Sequence, residues 1–227
     1  MSAQQWIPLE SNPEVLTGFG HALGVSPDLV FSDVWSLELL DMVPAPCHAV
    51  LLLFPLTPKL RNAEVADSTS LTDSPDAPYF VRQTIGNACG TIALIHAALN
   101  AGRLAPAPSP DSFLSRFGEA TKDMTPDDRA KALMEDASLD AVHGQFAAQG
   151  QTAAPSPTEK VDLHFVAFVH KAGKLWLLDG RRDKPFECGP CEEGNVLRSS
   201  AKIVMDRFMK ADPTEQRFTI LALTAKP

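Results

Sequence analysis

Cys89 stands at the end of Gln83-Thr84-Ile85-Gly86-Asn87-Ala88-Cys89-Gly90-Thr91, where an apolar stretch begins. From Cys89 to Asn100, Ile92, Ile95 and Leu99 fall on one side of a helix that Gly102 closes. A thiol in the first turn of a helix meets the positive end of the macrodipole, which favours thiolate over thiol. The Cys89 N–H points out of the helix end, towards a developing oxyanion, and Gly90 lets a substrate backbone approach. The side-chain amide of Gln83, six residues earlier, is a second candidate donor. A lone cysteine beside an apolar helix also reads as a small buried apolar residue, so a nucleophile requires a partner.

Of the histidines at 21, 48, 96, 143, 164 and 170, His164 has a visible orienting group. Two strand-like segments, Val161 to Val169 and Leu175 to Asp179, flank Lys171-Ala172-Gly173-Lys174, which reads as a tight hairpin turn. With Lys171-Ala172 as the loop, or with Ala172-Gly173, His164 stands directly opposite Asp179 or one diagonal step away. Both registers put the two side chains on one face, about 5 Å or about 7 to 8 Å apart, within reach of a carboxylate-to-imidazole bond. A three-residue loop would separate them. His164 also interrupts an apolar strand, a cost that a partner offsets.

Cys188-Gly189-Pro190-Cys191 has the spacing of a dithiol redox centre. Such a centre opens a helix early in a βαβ unit, whereas here Glu187 precedes it and Glu192-Glu193-Gly194 follows, and acidic neighbours oppose thiolate formation. No second pair of cysteines completes a zinc site. Cys47 and His48 are adjacent on a strand and so face opposite ways. The expectation is no metal and no cofactor.

These residues need elements to carry them. Asn12-Pro13-Glu14 supplies a cap, a preset first turn and a favourable charge for a helix bearing Val15, Leu16, Phe19 and Leu23, stopped at Gly24. Ser26-Pro27-Asp28 reads as a turn and His48 to Phe54 as a strand ended by Pro55. Arg61 to Pro78 reads as a mobile surface loop. Shorter helices are expected at Asp111 to Phe117 and Thr125 to Met134, a further one from about Ser200 to Lys210, and a last strand at Phe218 to Thr224. Ala141 to Glu159, rich in Gly, Gln, Ala and Pro, shows no period; loops of that length in compact domains are usually functional or disordered.

Length and charge bound the partners. At about 150 residues per domain, 227 residues make one generous domain or two cramped ones. With 44% hydrophobic and 21% charged residues the chain is neither collagenous nor disordered. The longest apolar run, Ala49 to Phe54, is far short of the roughly 20 residues that span a membrane. Twenty Lys and Arg against 28 Asp and Glu give −8, so nucleic acid and anionic lipid are repelled and a basic partner attracted. Met1 to Ile7 lacks a secretory signal, and four cysteines do not make a disulfide scaffold, which points to a reducing, cytoplasmic location.

Gln83 to Thr91, Val161-Asp162-Leu163-His164-Phe165 and Leu178-Asp179-Gly180 together resemble the ubiquitin C-terminal hydrolases, small papain-like cysteine proteases among the deubiquitinating enzymes. Trp6-Ile7-Pro8-Leu9-Glu10, Asn12-Pro13-Glu14 and Ala49 to Pro55 also resemble the short members of that family, in the same order, from residue 6 to about 224. The resemblance implies a single domain over 1–227 with an α+β, papain-like α-β-α fold: a central antiparallel sheet flanked by helices. Residues from about 141 to 159 would form a loop crossing the active site. It implies thiol hydrolysis of amide, ester or peptide bonds at the C-terminal glycine of ubiquitin, through an acyl-enzyme. Cys89 is then the nucleophile, His164 the base and acid, Asp179 its orienter and Gln83 the oxyanion donor. Glu10, Glu14 and Asp33 occupy positions resembling the family's tail-binding acids. A crossing loop would admit flexible tails and small leaving groups. The partner implied is ubiquitin through its basic tail, with NEDD8 as a further candidate, acted on by a monomer. Departures are Leu177 where many members carry Glu, an extended Arg182-Asp183 loop, and the Cys188/Cys191 pair. The rival readings are a non-catalytic ubiquitin-binding module and a dithiol oxidoreductase using Cys188 and Cys191.

Overall fold

Antiparallel pairing organises the chain. The computed structural model describes residues 4–65, 74–151 and 161–227, and within them six strands form one sheet in the order β1-β6-β2-β3-β4-β5, every neighbouring pair antiparallel. They are β1 (Leu29–Asp33), β2 (Cys47–Pro55), β3 (Leu163–Lys171), β4 (Lys174–Leu178), β5 (Phe186–Pro190) and β6 (Thr219–Ala225). The helices are α1 (Pro13–Leu23), α2 (Pro58–Val65), α3 (Cys89–Leu99), α4 (Phe113–Thr121), α5 (Pro126–Met134), α6 (Ala137–Ala147) and α7 (Val196–Ile203). The mixed α+β architecture with a central antiparallel sheet is the one expected. Among the described residues no helix is long and apolar enough to cross a membrane.

β2 explains why its sequence carries no alternation: all nine of its residues are buried, because apolar layers cover both faces. One layer packs α1 and α3 on the sheet through Leu16, Phe19, Leu94 and Ile95. The other packs α7 through Val196, with Phe54, Phe168 and Phe208. α1 starts and stops as its sequence dictates, with Asn12 Oδ1 accepting from Glu14 N–H at 2.8 Å and Gly24 ending the helix at φ 114°. The hairpin between β3 and β4 turns at Ala172-Gly173, both with positive φ, which twists in the sense the strands require.

The segment from 141 carries a helix where an aperiodic loop was expected. α6 runs to Ala147, capped by the Asp136 carboxylate, which accepts from the N–H groups of Ser138 and Leu139. Its buried stripe is Leu139, His143 and Ala147, four residues apart, and a histidine within the stripe hides the period. Residues 152–159 of the expected crossing loop lie outside the described residues. The loop expected from Arg61 likewise begins as helix: α2 starts at Pro58, with Thr57 Oγ1 accepting from Leu60 N–H. Residues 66–73 of that expectation also lie outside the described residues.

Other boundaries move for local reasons. α3 closes at Asn100, not Gly102, because the Asn100 amide donates to the His96 and Tyr79 carbonyls at 2.8 and 2.9 Å. α4 starts two residues late, at its Ser112 cap, and ends four late at Thr121. α7 begins at Val196, four residues early, and passes into a π-helical segment, Val204–Met209. β1 and β5, unmarked in the sequence, are five-residue strands at the two sheet edges.

Candidate active site

α3 presents Cys89 at its first position. The preceding residue, Ala88, offers no side-chain cap, and the first helical hydrogen bond runs from Ile92 N–H to the Ala88 carbonyl at 2.9 Å. The N–H groups of Cys89, Gly90 and Thr91 therefore have no acceptor within the helix. Asn87, at φ 61°, turns the chain into this helix and anchors there by donating from Nδ2 to the Trp6 carbonyl at 3.0 Å.

His164 comes from β3 and Asp179 from the residue after β4. The Ala172-Gly173 loop selects the diagonal of the two registers open in the sequence, as Ala167 pairs with Leu178. The two side chains share one face, and His164 Nε2 meets Asp179 Oδ1 at 2.7 Å, with both residues buried. Asp179 Oδ1 also accepts the Arg181 N–H at 2.9 Å, and the Arg181 guanidinium stands 3.6 Å from Oδ2. Phe54, directly opposite His164 on β2, lays its ring edgewise on the imidazole at 6.0 Å. Nothing in an unbroken apolar strand singles Phe54 out before the pairing of β2 with β3 is known.

Cys89 and His164 interact, and their charges support each other. Burial alone would push the thiol up, but the hydrogen bond and positive charge of His164, with backbone donors at Phe165 and Gly90, bring it below its ordinary value. Burial would likewise lower His164, yet the Asp179 carboxylate and the Cys89 thiolate raise it to about 9. Asp179 is held down at about 2 against its own burial, chiefly by the His164 charge. The raised imidazole contributes stability that is full below pH 6.5 and fades as pH rises through about 9. The depressed carboxylate contributes stability present above pH 3.8 that fades as pH falls towards about 2. Both contributions are in force in mildly acidic solution. By contrast, burial drives His96 down to about 4.

Gln83 packs against the turn that follows Asp179. Its N–H donates to the Gly180 carbonyl at 2.7 Å, and its side-chain amide donates to the Ile85 carbonyl at 3.2 Å. Gly180 is required by this approach: a Cβ there would lie 2.8 Å from Ile92 Cγ2 and 3.0 Å from Gln83 Cβ. The turn after Asp179, Gln83 and the first turns of α3 are thus locked together.

Beside Cys89 lies a cleft of about 190 Å³, walled by Pro8, Leu9, Glu10 and Ser11 together with Leu53, Leu163 and Phe165. Ala147 and Gly150, at and beyond the end of α6, also line it. That volume is below the ~300 Å³ of a typical drug-sized pocket and suits a thin extended chain. Of the three carboxylates proposed for binding, Glu10 lies in the cleft wall, Glu14 is exposed on the first turn of α1, and Asp33 ends the edge strand β1.

Cys188 and Cys191 lie on and just after β5, not at a helix start, and pack in the layer under α7, across the sheet from the layer that holds Cys89. Burial pushes the Cys188 thiol up to about 12 and raises Cys191 as well, so neither is poised as a thiolate. Among the described residues no group of His, Cys, Asp or Glu could hold a metal ion.

Residues 6–210 match the family described as ubiquitin carboxyl-terminal hydrolase, family 1. The chain is 44% identical over 214 residues to a ubiquitin carboxyl-terminal hydrolase of Aplysia californica, covering 93% of this chain and 98% of that protein. It is 39% identical over 221 residues to ubiquitin carboxyl-terminal hydrolase isozyme L1 of Homo sapiens, covering 95% and 96%. Among solved structures, the catalytic domain of Trichinella spiralis UCH37 bound to ubiquitin vinyl methyl ester aligns with a TM-score of 0.80 at 26% identity, covering 97% of this chain and 96% of that one.

Proposed function

This chain belongs to the ubiquitin carboxyl-terminal hydrolases of family 1 and is a cysteine-type deubiquitinating hydrolase, and from that premise we propose that Cys89, His164 and Asp179 carry out the reaction. The observation that carries the reading is the buried 2.7 Å bond between His164 and Asp179, with the imidazole engaged by the thiol at the helix N-terminus. The Cys89 thiolate attacks the carbonyl carbon of the terminal glycine of ubiquitin. The Cys89 N–H and the second amide proton of Gln83 receive the negative oxygen that forms. His164 then gives its proton to the departing amine or alcohol, leaving an acyl-enzyme thioester. Water, deprotonated by His164, releases the carboxylate and restores the thiol. Asp179 keeps the imidazole oriented and stabilises its charged form.

The narrow cleft supports an extended, glycine-ended tail as the bound segment, within one catalytic domain acting as a monomer. Glu10 meets the basic tail from the wall, and Glu14 and Asp33 extend the acidic surface beyond it. A cleft of about 190 Å³ takes an extended segment and not a folded one, which supports a preference for small or flexible adducts. Steady-state hydrolysis tests this reading directly. Ubiquitin with a fluorophore on its terminal glycine should be turned over with kcat/KM at least about a hundredfold above ubiquitin joined to a folded protein. Equal rates would refute the leaving-group preference, and no turnover of either would refute the activity. A NEDD8 substrate in the same assay decides whether that tail is also accepted.

The pH dependence follows from the charges. The productive thiolate–imidazolium pair forms above the depressed thiol value and is lost as the imidazole deprotonates, giving a bell whose basic limb lies near the raised His164 value of about 9. Asp179→Asn removes the charge that raises His164, so the basic limb should move to lower pH and the bell narrow. A pH profile of kcat/KM checks this; an unmoved basic limb would show that Asp179 does not act through its charge.

A further inference from the structure

Pro8, Leu9, Glu10 and Ser11, which wall the cleft beside Cys89, belong to a strap that leads from the N-terminal residues into α1. The first part of the strap is fixed by the backbone. Gln5 bridges Gly86, and the Trp6 N–H donates to the Gly86 carbonyl at 2.9 Å. Further along, Leu9 packs against Gly90 of α3, and the Ile7 backbone is held by a side chain: His143 Nε2 donates to the Ile7 carbonyl at 2.8 Å. A carbonyl only accepts, so Nε2 carries the proton and Nδ1 is left as an acceptor, met by the Thr91 hydroxyl at 2.8 Å. Thr91 is fully buried in the first turn of α3, two residues after Cys89.

One neutral imidazole therefore reaches from the cleft wall to the catalytic helix. It has no slack, because its ring stacks on Trp6 at 4.2 Å and meets Phe19 edgewise at 6.0 Å. α6, which carries it, is itself seated on α1, where Phe146 lies so close to Gly18 that a Cβ there would stand 2.8 Å from the ring.

We propose that His143 is a positioning residue for the hydrolysis, fixing the distance between the cleft wall of residues 8–11 and the end of α3 that bears Cys89. This rests on the proposed function, in which that cleft takes the ubiquitin tail. Because Nε2 holds the wall and touches no reacting atom, losing it loosens substrate binding and spares the chemical step. Asparagine places an amide near the Nδ1 position and stops short of Ile7, whereas glutamine extends to the Nε2 position.

The test is steady-state hydrolysis of fluorophore-bearing ubiquitin by wild type, His143→Asn and His143→Gln, with each enzyme counted by alkylation of Cys89 with iodoacetamide. His143→Asn should raise KM about tenfold with kcat within about threefold, and His143→Gln should return KM to within about threefold of wild type. The alkylation rate of Cys89, which needs no wall, should stay within about twofold in both. An unchanged KM in His143→Asn would overturn the proposal. So would glutamine no better than asparagine, alkylation and kcat falling together with KM, or loss of folded protein in both variants. A wild-type chain that turns over no ubiquitin substrate would instead overturn the function on which the proposal rests.

Discussion

Cys89→Ala abolishes turnover of ubiquitin substrates, by a factor of about 10⁴ or more in kcat, while leaving ubiquitin binding in place. In the proposed reaction the thiolate forms the acyl-enzyme, and no second thiol stands at the site: the others are Cys47, buried and raised to about 12, and the pair across the sheet. Cys89→Ser is expected to be nearly as inactive, because a serine hydroxyl lacks the low proton affinity that His164 exploits in the thiol. Neither change opens a large cavity, since Cys89 is small and only partly buried. Calorimetric titration with ubiquitin should return a dissociation constant close to wild type for Cys89→Ala. Residual turnover above about a hundredth of wild type would place the nucleophile elsewhere.

His164→Asn carries the next largest effect and has two separable readouts. Removing the base costs about 10³ to 10⁴ in kcat/KM. It also strips Cys89 of the bond and charge that lower its pKa, so the rate of iodoacetamide alkylation near neutral pH falls as well. Stability declines for a different reason. Asp179 is completely buried, and without the imidazolium its charge loses its nearest partner and keeps only the Arg181 N–H and the Arg181 and Arg182 guanidinium groups, 3.6 and 4.0 Å from Oδ2. Breaking such a pair costs about 3 to 5 kcal/mol. At about 2 to 4 °C per kcal/mol for a chain of this size, the melting temperature should fall by roughly 6 to 20 °C. The double variant His164→Asn, Asp179→Asn removes the buried charge and should regain most of that loss with no return of activity. A double variant as unstable as His164→Asn would show that packing against Phe54, not charge, sets the cost.

How far the site could be read from the sequence depended on the range of each interaction. The hairpin is short, and both registers with a two-residue loop put His164 and Asp179 on one face; the loop at Ala172-Gly173, with positive φ at both residues, is one of these two and excludes the three-residue loop that would separate them. α1 was legible through its cap, its stripe and its closing glycine, all local features. α6 was not, because its stripe runs Leu139, His143, Ala147, and the histidine is compatible with burial only through Ile7 and Thr91, far away in sequence. The edge strands β1 and β5 are five residues each, and their pairing with β6 and β4 marks them where composition does not. Cys188-Gly189-Pro190-Cys191 copies a redox motif in letters only. Its segment is a strand carrying an irregularity against Leu175 and Trp176, so neither thiol meets a helix N-terminus. Where Glu10, Glu14 and Asp33 stand relative to the cleft was equally invisible, as it depends on how the strap and β1 sit against the rest of the chain.

The central claim, that Cys89 becomes the acyl-bearing atom at the end of a bound ubiquitin tail, is tested most directly by ubiquitin whose terminal glycine is replaced by an electrophile. Incubated with the wild-type chain, it should form one covalent adduct, with peptide mass spectrometry locating the bond on Cys89 and Cys89→Ala forming none. Binding without an adduct, or an adduct on Cys188 or Cys191, would contradict the account.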